Sequence, residues 1–142
     1  MRWTPPSTLK RRFGVIAVDT NIVVRFLVDD DLRQSEQAVY LFRRETVFLA
    51  RSVLLETEWV LRRGYKMNPV KIGGALEALI GLPNVVCEDD SGVRQALMWH
   101  QAGMDFADAL HLAAGSRAAQ FITFDQDMIK AAKRLGLPVS AP

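Results

Sequence analysis

Phe13-Gly14-Val15-Ile16-Ala17-Val18-Asp19-Thr20-Asn21 is a short apolar run that stops abruptly on a carboxylate. It reads as a buried strand over residues 14–18 with Asp19 at its carboxyl end. Open α/β folds place their binding crevice outside the carboxyl ends of the strands, so the position of Asp19 bears on fold and function together. Outward from this stretch the same grammar recurs. Thr46-Val47-Phe48-Leu49-Ala50, Asn84-Val85-Val86-Cys87 and Phe121-Ile122-Thr123-Phe124 are β-branched or aromatic runs of strand length, and Leu137-Pro138-Val139 offers an edge strand.

Helical signals separate these runs. A polar turn containing Asp29-Asp30-Asp31 leads into a helix with Asp31 as N-cap, Gln34 in capping-box position, and Ala38, Val39, Leu41 and Phe42 as its apolar side. Ser52 is placed to cap a helix through Trp59, Val60 and Leu61 to Gly64. Asn68-Pro69 pairs an N-cap with an N1 proline and opens a helix through Ile72, Leu76, Leu79 and Ile80 that stops at Gly81. Asp89 or Asp90 starts the next helix, closed by Gly103. Another begins near Asp105, and a last one runs from Asp125 to near Gly136. Strands alternating with helices predict an α/β domain with a mostly parallel sheet.

The 142 residues suffice for one domain with a sizeable core. Apolar content of 49% and charged content of 24% are those of a globular chain. No apolar run reaches the roughly 18 residues of a membrane span, and the N-terminus lacks the apolar segment of a signal peptide. The lone Cys87 has no disulfide partner, which fits a reducing cytoplasm. The net charge of +2 is unevenly spread. Residues 1–13 hold Arg2, Lys10, Arg11 and Arg12 and no acid, leaving 14 bases against 16 acids in the rest. The organisation read from this is a basic, flexible extension over residues 1–13 and a single domain over 14–142.

Four acids fall at strand ends or early in helices: Asp19, Glu56, Asp108 and Asp125. Each has a plain structural role open to it. Asp19 could close an Asx turn, yet Thr20 and Asn21 add a hydroxyl and an amide beside it. Glu56 stands among Leu54, Leu55 and Trp59 near a helix start that favours any acid, and its residues leave function and surface charge equally open. Asp105 reads as an N-cap, whereas Asp108 is short for a back-capping residue and reads as the functional acid. Asp125 directly follows an apolar strand, with Asp127 as its reserve. Brought together as bare anions these carboxylates would repel and raise one another's pKa, a cost that a divalent cation removes. His100 and His111 have no zinc spacing with Cys87, and Trp3, Trp59 and Trp99 form no recognisable stacking platform. The glycines match neither phosphate-cradling pattern, so no nucleotide cofactor is implied.

Val18-Asp19-Thr20-Asn21-Ile22-Val23-Val24-Arg25, Leu55-Glu56-Thr57-Glu58-Trp59-Val60-Leu61, Asp105-Phe106-Ala107-Asp108-Ala109-Leu110-His111-Leu112-Ala113 and Thr123-Phe124-Asp125-Gln126-Asp127 together resemble a PIN domain, specifically the VapC-type toxin subgroup. The resemblance covers about residues 14–140. It implies a three-layer α/β/α fold, Mg²⁺- or Mn²⁺-dependent endoribonuclease activity, a homodimer and inhibition by a cognate antitoxin protein. It also implies Asp19, Glu56, Asp108 and Asp125 as the catalytic and metal-holding quartet, with Thr20, Asn21 and Thr123 in support beside Asp105 and Asp127. Oxygen-only ligands select hard cations. Because the acids repel RNA, Arg25, Arg51, Arg62, Arg63 and Arg117 are candidates to dock the strand. The competing expectation is a non-catalytic PIN-fold module that binds RNA or a protein. A phosphoacceptor domain is disfavoured, since Asn21 and Thr123-Phe124 stand where a second acid or a lysine is needed.

Overall fold

The computed structural model describes residues 14–142; the extension expected over 1–13 lies outside the described residues. β1 (Val15–Ala17), β2 (Thr46–Leu49) and β3 (Val85–Cys87) form a parallel sheet in the order β1-β2-β3. In its register Val15 faces Thr46 and Val47 faces Val85. β4 (Phe121–Ile122) and β5 (Val139–Ser140) form a second parallel pair. Parallel neighbours need long crossovers, and helices supply all of them. α1 (Thr20–Leu27) and α2 (Leu32–Arg44) join β1 to β2, and α3 (Arg51–Arg63) and α4 (Pro69–Ile80) join β2 to β3. α5 (Asp90–Gln101) and α6 (Phe106–Ala114) lead to β4, and α7 (Gln126–Arg134) joins β4 to β5.

This is an α/β fold consistent with the expected α/β/α layering. Every strand pair among the described residues is parallel, as expected, but the pairing divides into two sets instead of running through one sheet. The strands are short enough to explain the division, since β4 and β5 have only two residues each.

The core forms around β2, the middle strand, where Val47 and Leu49 are fully buried and alternate with half-buried Thr46 and Phe48. Leu54 and Leu61 lie two helical turns apart on α3 and are buried, as are Ile72, Leu76, Leu79 and Ile80 of α4. Val93, Ala96 and Leu97 of α5 meet Phe106, Ala109 and Leu110 of α6 in the same cluster. Each such leucine or phenylalanine removed from water contributes about 1.5–3 kcal/mol, and truncating Leu61 to alanine is expected to cost about 2–5 kcal/mol through lost burial and the cavity left behind.

Sequence and structure differ at three helix starts. α1 occupies residues between the first strand and the Asp29-Asp30-Asp31 turn to which no helix was assigned. Its Ile22-Val23-Val24 run lacks strong helix formers, but Asp19 accepts the Ile22 N–H at 3.2 Å and Val23 and Val24 are buried, so capping and packing override propensity. The N-cap of α3 falls on Ala50, not Ser52, and makes no side-chain bond. Instead the Arg51 N–H is taken by Glu88 Oε1 at 2.8 Å, from the far side of β3. Asp31 caps α2 through the Gln34 N–H as expected, but the Gln34 side chain accepts from Arg25 Nε at 2.7 Å. The remaining starts and stops stand where they were read. Asn68 caps α4 with Pro69 at N1, Asp89 caps α5, and Gly81 ends α4. Beyond α5, Gly103 adopts φ +107°, a conformation that any side chain would strain.

Candidate active site

Three candidate acids are helix caps. Asp19, at the end of β1, is exposed and caps α1. Asp105 caps α6 by accepting the Asp108 N–H at 3.1 Å, the role assigned to it from sequence. Asp125 caps α7 through the Met128 N–H at 3.1 Å, and its own N–H donates to Thr123 Oγ1 at 3.0 Å. Asp127 follows in the first turn of α7. Helix N-termini favour negative charge because their N–H groups are unpaired and the macrodipole is positive there; this is why these acids tolerate one another's company.

Asp108 shows that the company is close. Its carboxyl is raised above the ordinary aspartate value, first by burial and then by the negative charge of Asp105, Asp125 and Asp127, with His111 acting in the opposite sense. The structure thus gathers acids from α6 and from α7 into one field. His111 itself is exposed.

Glu56 lies in the second turn of α3, not the first, and is exposed. It lines a groove of about 470 Å³ together with Leu55, Trp59, Arg62, Asp105 and Ala107. Asp105 therefore belongs both to this groove and to the field around Asp108. Of the supporting residues beside Asp19, Thr20 is buried and Asn21 is exposed.

Sequence reasoning passed over Glu58. It is 2% exposed, and its Oε2 accepts from Arg62 Nε at 2.9 Å. That hydrogen bond holds the Arg62 guanidinium above its ordinary pKa. The available signal was spacing, because Glu58 falls four residues after Leu54 and three before Leu61 and so shares their buried face. His100, also buried, meets the Phe106 ring edge-on at 5.5 Å. Burial lowers its pKa, against the pull of Glu58 and Asp105.

The candidate docking arginines are differently engaged. Arg25 is held by Asp30 at 2.9 Å and by Gln34, and Arg51 lies 3.7 Å from both Glu88 and Asp89. Arg63 and Arg117 are exposed. The Cys87 thiol is pushed up to about 11 by burial and then by Asp90, which removes it as a nucleophile near neutral pH.

The PIN domain family model matches residues 16–134, a span that begins at β1 and ends with α7. The chain belongs to the PIN domain family. No curated protein matches the chain. PIN domains are commonly nucleases and typically use divalent metals, which fits a site built of carboxylates. Among the described residues no three His, Cys, Asp or Glu groups stand close enough to hold a metal ion. The candidate acids of this PIN domain nevertheless suit a hard cation, being all oxygen donors. No helix among the described residues is long and apolar enough to cross a membrane.

Proposed function

We propose that the protein is a Mg²⁺- or Mn²⁺-dependent endoribonuclease that hydrolyses RNA phosphodiester bonds. Asp19, Glu56, Asp108 and Asp125 are the residues that would hold the ion and position the attacking water. The observation that carries this reading is the PIN family match over residues 16–134, a span that takes in all four acids; Asp108, half-buried at the start of α6 with its carboxyl raised by burial and by neighbouring acids, is consistent with it. Mutually repelling carboxylates gathered at helix starts are a stability cost without a cation and a ligand set with one.

When bound, such an ion lowers the pKa of water and offsets charge at the scissile phosphate. The chain's own residues do the rest. Thr123 orients Asp125 through its backbone N–H, and Asp105 orients Asp108 in the same way. Thr20 and Asn21 follow Asp19 directly and would align its carboxylate and water. Asp127 adds negative charge to the field that attracts the cation.

The biological setting that goes with this reading is the toxin of a VapBC-type toxin–antitoxin pair. In that setting the protein is a cytoplasmic homodimer held inactive by a cognate antitoxin. The biochemical test is cleavage of structured RNAs by the parent, Asp19→Asn and Asp108→Asn proteins in Mg²⁺, Mn²⁺ or chelator. Cleavage by the parent only with metal, and by neither variant, is expected. Metal-independent RNA binding without cleavage would favour the non-catalytic PIN-fold module instead.

A further inference from the structure

The two helices that carry Asp19 and Glu56 near their starts are tied together at their other ends. Asp19 caps α1, Glu56 lies in the second turn of α3, and α1 and α3 pack against each other. Just beyond the end of α3, the Tyr65 hydroxyl donates to Asp30 Oδ2 at 2.7 Å. Asp30 Oδ1 accepts from Nη1 of Arg25, in the last turn of α1, at 2.9 Å. The same Nη1 reaches the Tyr65 oxygen at 3.3 Å, and Arg25 Nε donates to Gln34 Oε1 at 2.7 Å. The ends of α1 and α3 and the start of α2 thus meet in one polar clasp.

The clasp is firmly placed. Lys66, directly after Tyr65, holds φ +55°, a backbone that lysine rarely adopts and that persists only where its surroundings enforce it. The Tyr65 ring is half-buried against the core, so its hydroxyl is delivered from a fixed support. That hydroxyl is the chief cause holding the Asp30 carboxyl below its ordinary value. Water nevertheless reaches the ion pair, whose Arg25 and Asp30 side chains are 30% and 44% exposed, and such exposed pairs add little to stability. What the clasp adds is register. Val23, Val24, Leu54 and Leu61 bury the two helices in the core, but apolar burial is non-directional, whereas hydrogen bonds fix distance and angle.

Register matters most for ligands of a small, hard cation. Mg²⁺ demands near-octahedral placement of its oxygens, and working sites hold their groups to within about 0.5 Å. We infer that Tyr65 is a positioning residue for the acidic centre: through Asp30 and Arg25 it pins the ends of α1 and α3 to each other and so sets how Asp19 and Glu56 stand toward a shared ion. This rests on reading Asp19 and Glu56 as metal-holding acids, and adds a residue that touches neither ion nor RNA.

The test is isothermal titration of the full chain with Mn²⁺ in the absence of RNA. Tyr65→Phe keeps the ring and deletes only the donor. Its Mn²⁺ affinity is expected to fall about threefold to tenfold, below the roughly 10–100-fold lost when a partner in direct contact with a metal ligand is removed. Its melting temperature in chelator should stay within about 3 °C of the parent. Asp30→Asn should match it, and the double variant should be no weaker than either single one, because both act through one network. Arg94→Gln, which removes the exposed 2.9 Å Arg94–Asp90 pair of α5, is the control and should leave Mn²⁺ affinity unchanged. In RNA cleavage at fixed Mn²⁺, Tyr65→Phe should lower kcat and keep KM. The inference is overturned if Tyr65→Phe binds Mn²⁺ as the parent does, if Arg94→Gln weakens binding equally, or if the two single losses add in the double variant. A parent that binds Mn²⁺ but cleaves no RNA sinks the ribonuclease reading alone, and a parent that binds no Mn²⁺ sinks both.

Discussion

Arg62 Nε and Glu58 Oε2 meet at 2.9 Å across one turn of α3, with the acid side chain 3% exposed and the base 39% exposed. The pair is therefore lopsided: one member is dissolved in the core and the other reaches toward the candidate active site. Removing the base strands a charge in the interior, whereas removing both leaves an apolar position beside Leu54 and Leu61. Arg62→Met is expected to destabilise the protein by about 1–3 kcal/mol, less than for a fully buried pair because water reaches Arg62. Glu58→Leu combined with Arg62→Met should recover most of that loss. Urea unfolding of the two single variants and the double variant closes the cycle.

Asp19 and Asp125 hold helices as well as charge, so the choice of substitution decides what is learned. Asparagine keeps the side-chain oxygen that accepts the Ile22 and Met128 N–H groups; alanine does not. Asp19→Ala and Asp125→Ala should each lose about 1 kcal/mol of stability, and the asparagine variants much less. All four should lose RNA cleavage. A cleavage defect confined to the alanine variants would mean that the helices matter and the carboxylates do not.

Asp108 has the opposite thermodynamic signature from a salt-bridged acid. Its folded pKa is raised, so the folded state keeps the proton longer than the unfolded chain. The stability from that proton is present below the ordinary aspartate range and is lost as pH rises through the raised value. In chelator at pH 7, Asp108→Asn is expected to melt no lower than the parent, and up to a few degrees higher given solvent screening. Mg²⁺ or Mn²⁺ should raise the melting temperature of the parent and not that of the variant. Equal metal stabilisation of both proteins would remove Asp108 from the ligand set.

His100 sets a pH limit on the other side. Burial lowers its pKa below the ordinary imidazole value of 6.5, so the unfolded chain takes up the proton first. Stability is unaffected above that value and falls as pH drops below it. The groups facing the ring are Phe106, the Gln101 amide, Glu58, Asp105 and Arg62. Urea midpoints at pH 7.5 and 5.5 should diverge for the parent and converge for His100→Gln, after allowing for the lower absolute stability of the variant.

Much of this architecture is legible in the chain because its helix starts are written in local chemistry. Asp31, Asn68-Pro69, Asp89, Asp105 and Asp125 each announce a cap, and each is one. α1 was hidden because Ile22, Val23 and Val24 prefer strands, and only their burial against neighbouring elements settles the matter. Ser52 misled because the helix already begins at Arg51, whose N–H is taken by Glu88, 37 residues away, and the Leu54 N–H already bonds the Ala50 carbonyl. The candidate acids could be picked out by their positions after strands, but the Asp105–Asp108–Asp125 proximity depends on how α6 and α7 pack, and the burial of Glu58 depends on which face of α3 turns inward. Those are tertiary facts, and local spacing only hints at them.

The separate β4–β5 pairing has a dynamic consequence. Asp125 and Asp127 ride on a strand–helix–strand unit whose two strands bond only each other among the described residues. Each strand contributes only two residues to the ladder, and Met128, Ala131 and Ala132 are the buried anchors of its helix. Such a unit can open with its own free energy while β1, β2 and β3 stay paired. Amide exchange in α7 should then be faster than in α3 and α4. One wall of the acidic centre would come and go within an otherwise intact fold, giving a way to silence the protein by prising out its last twenty or so residues.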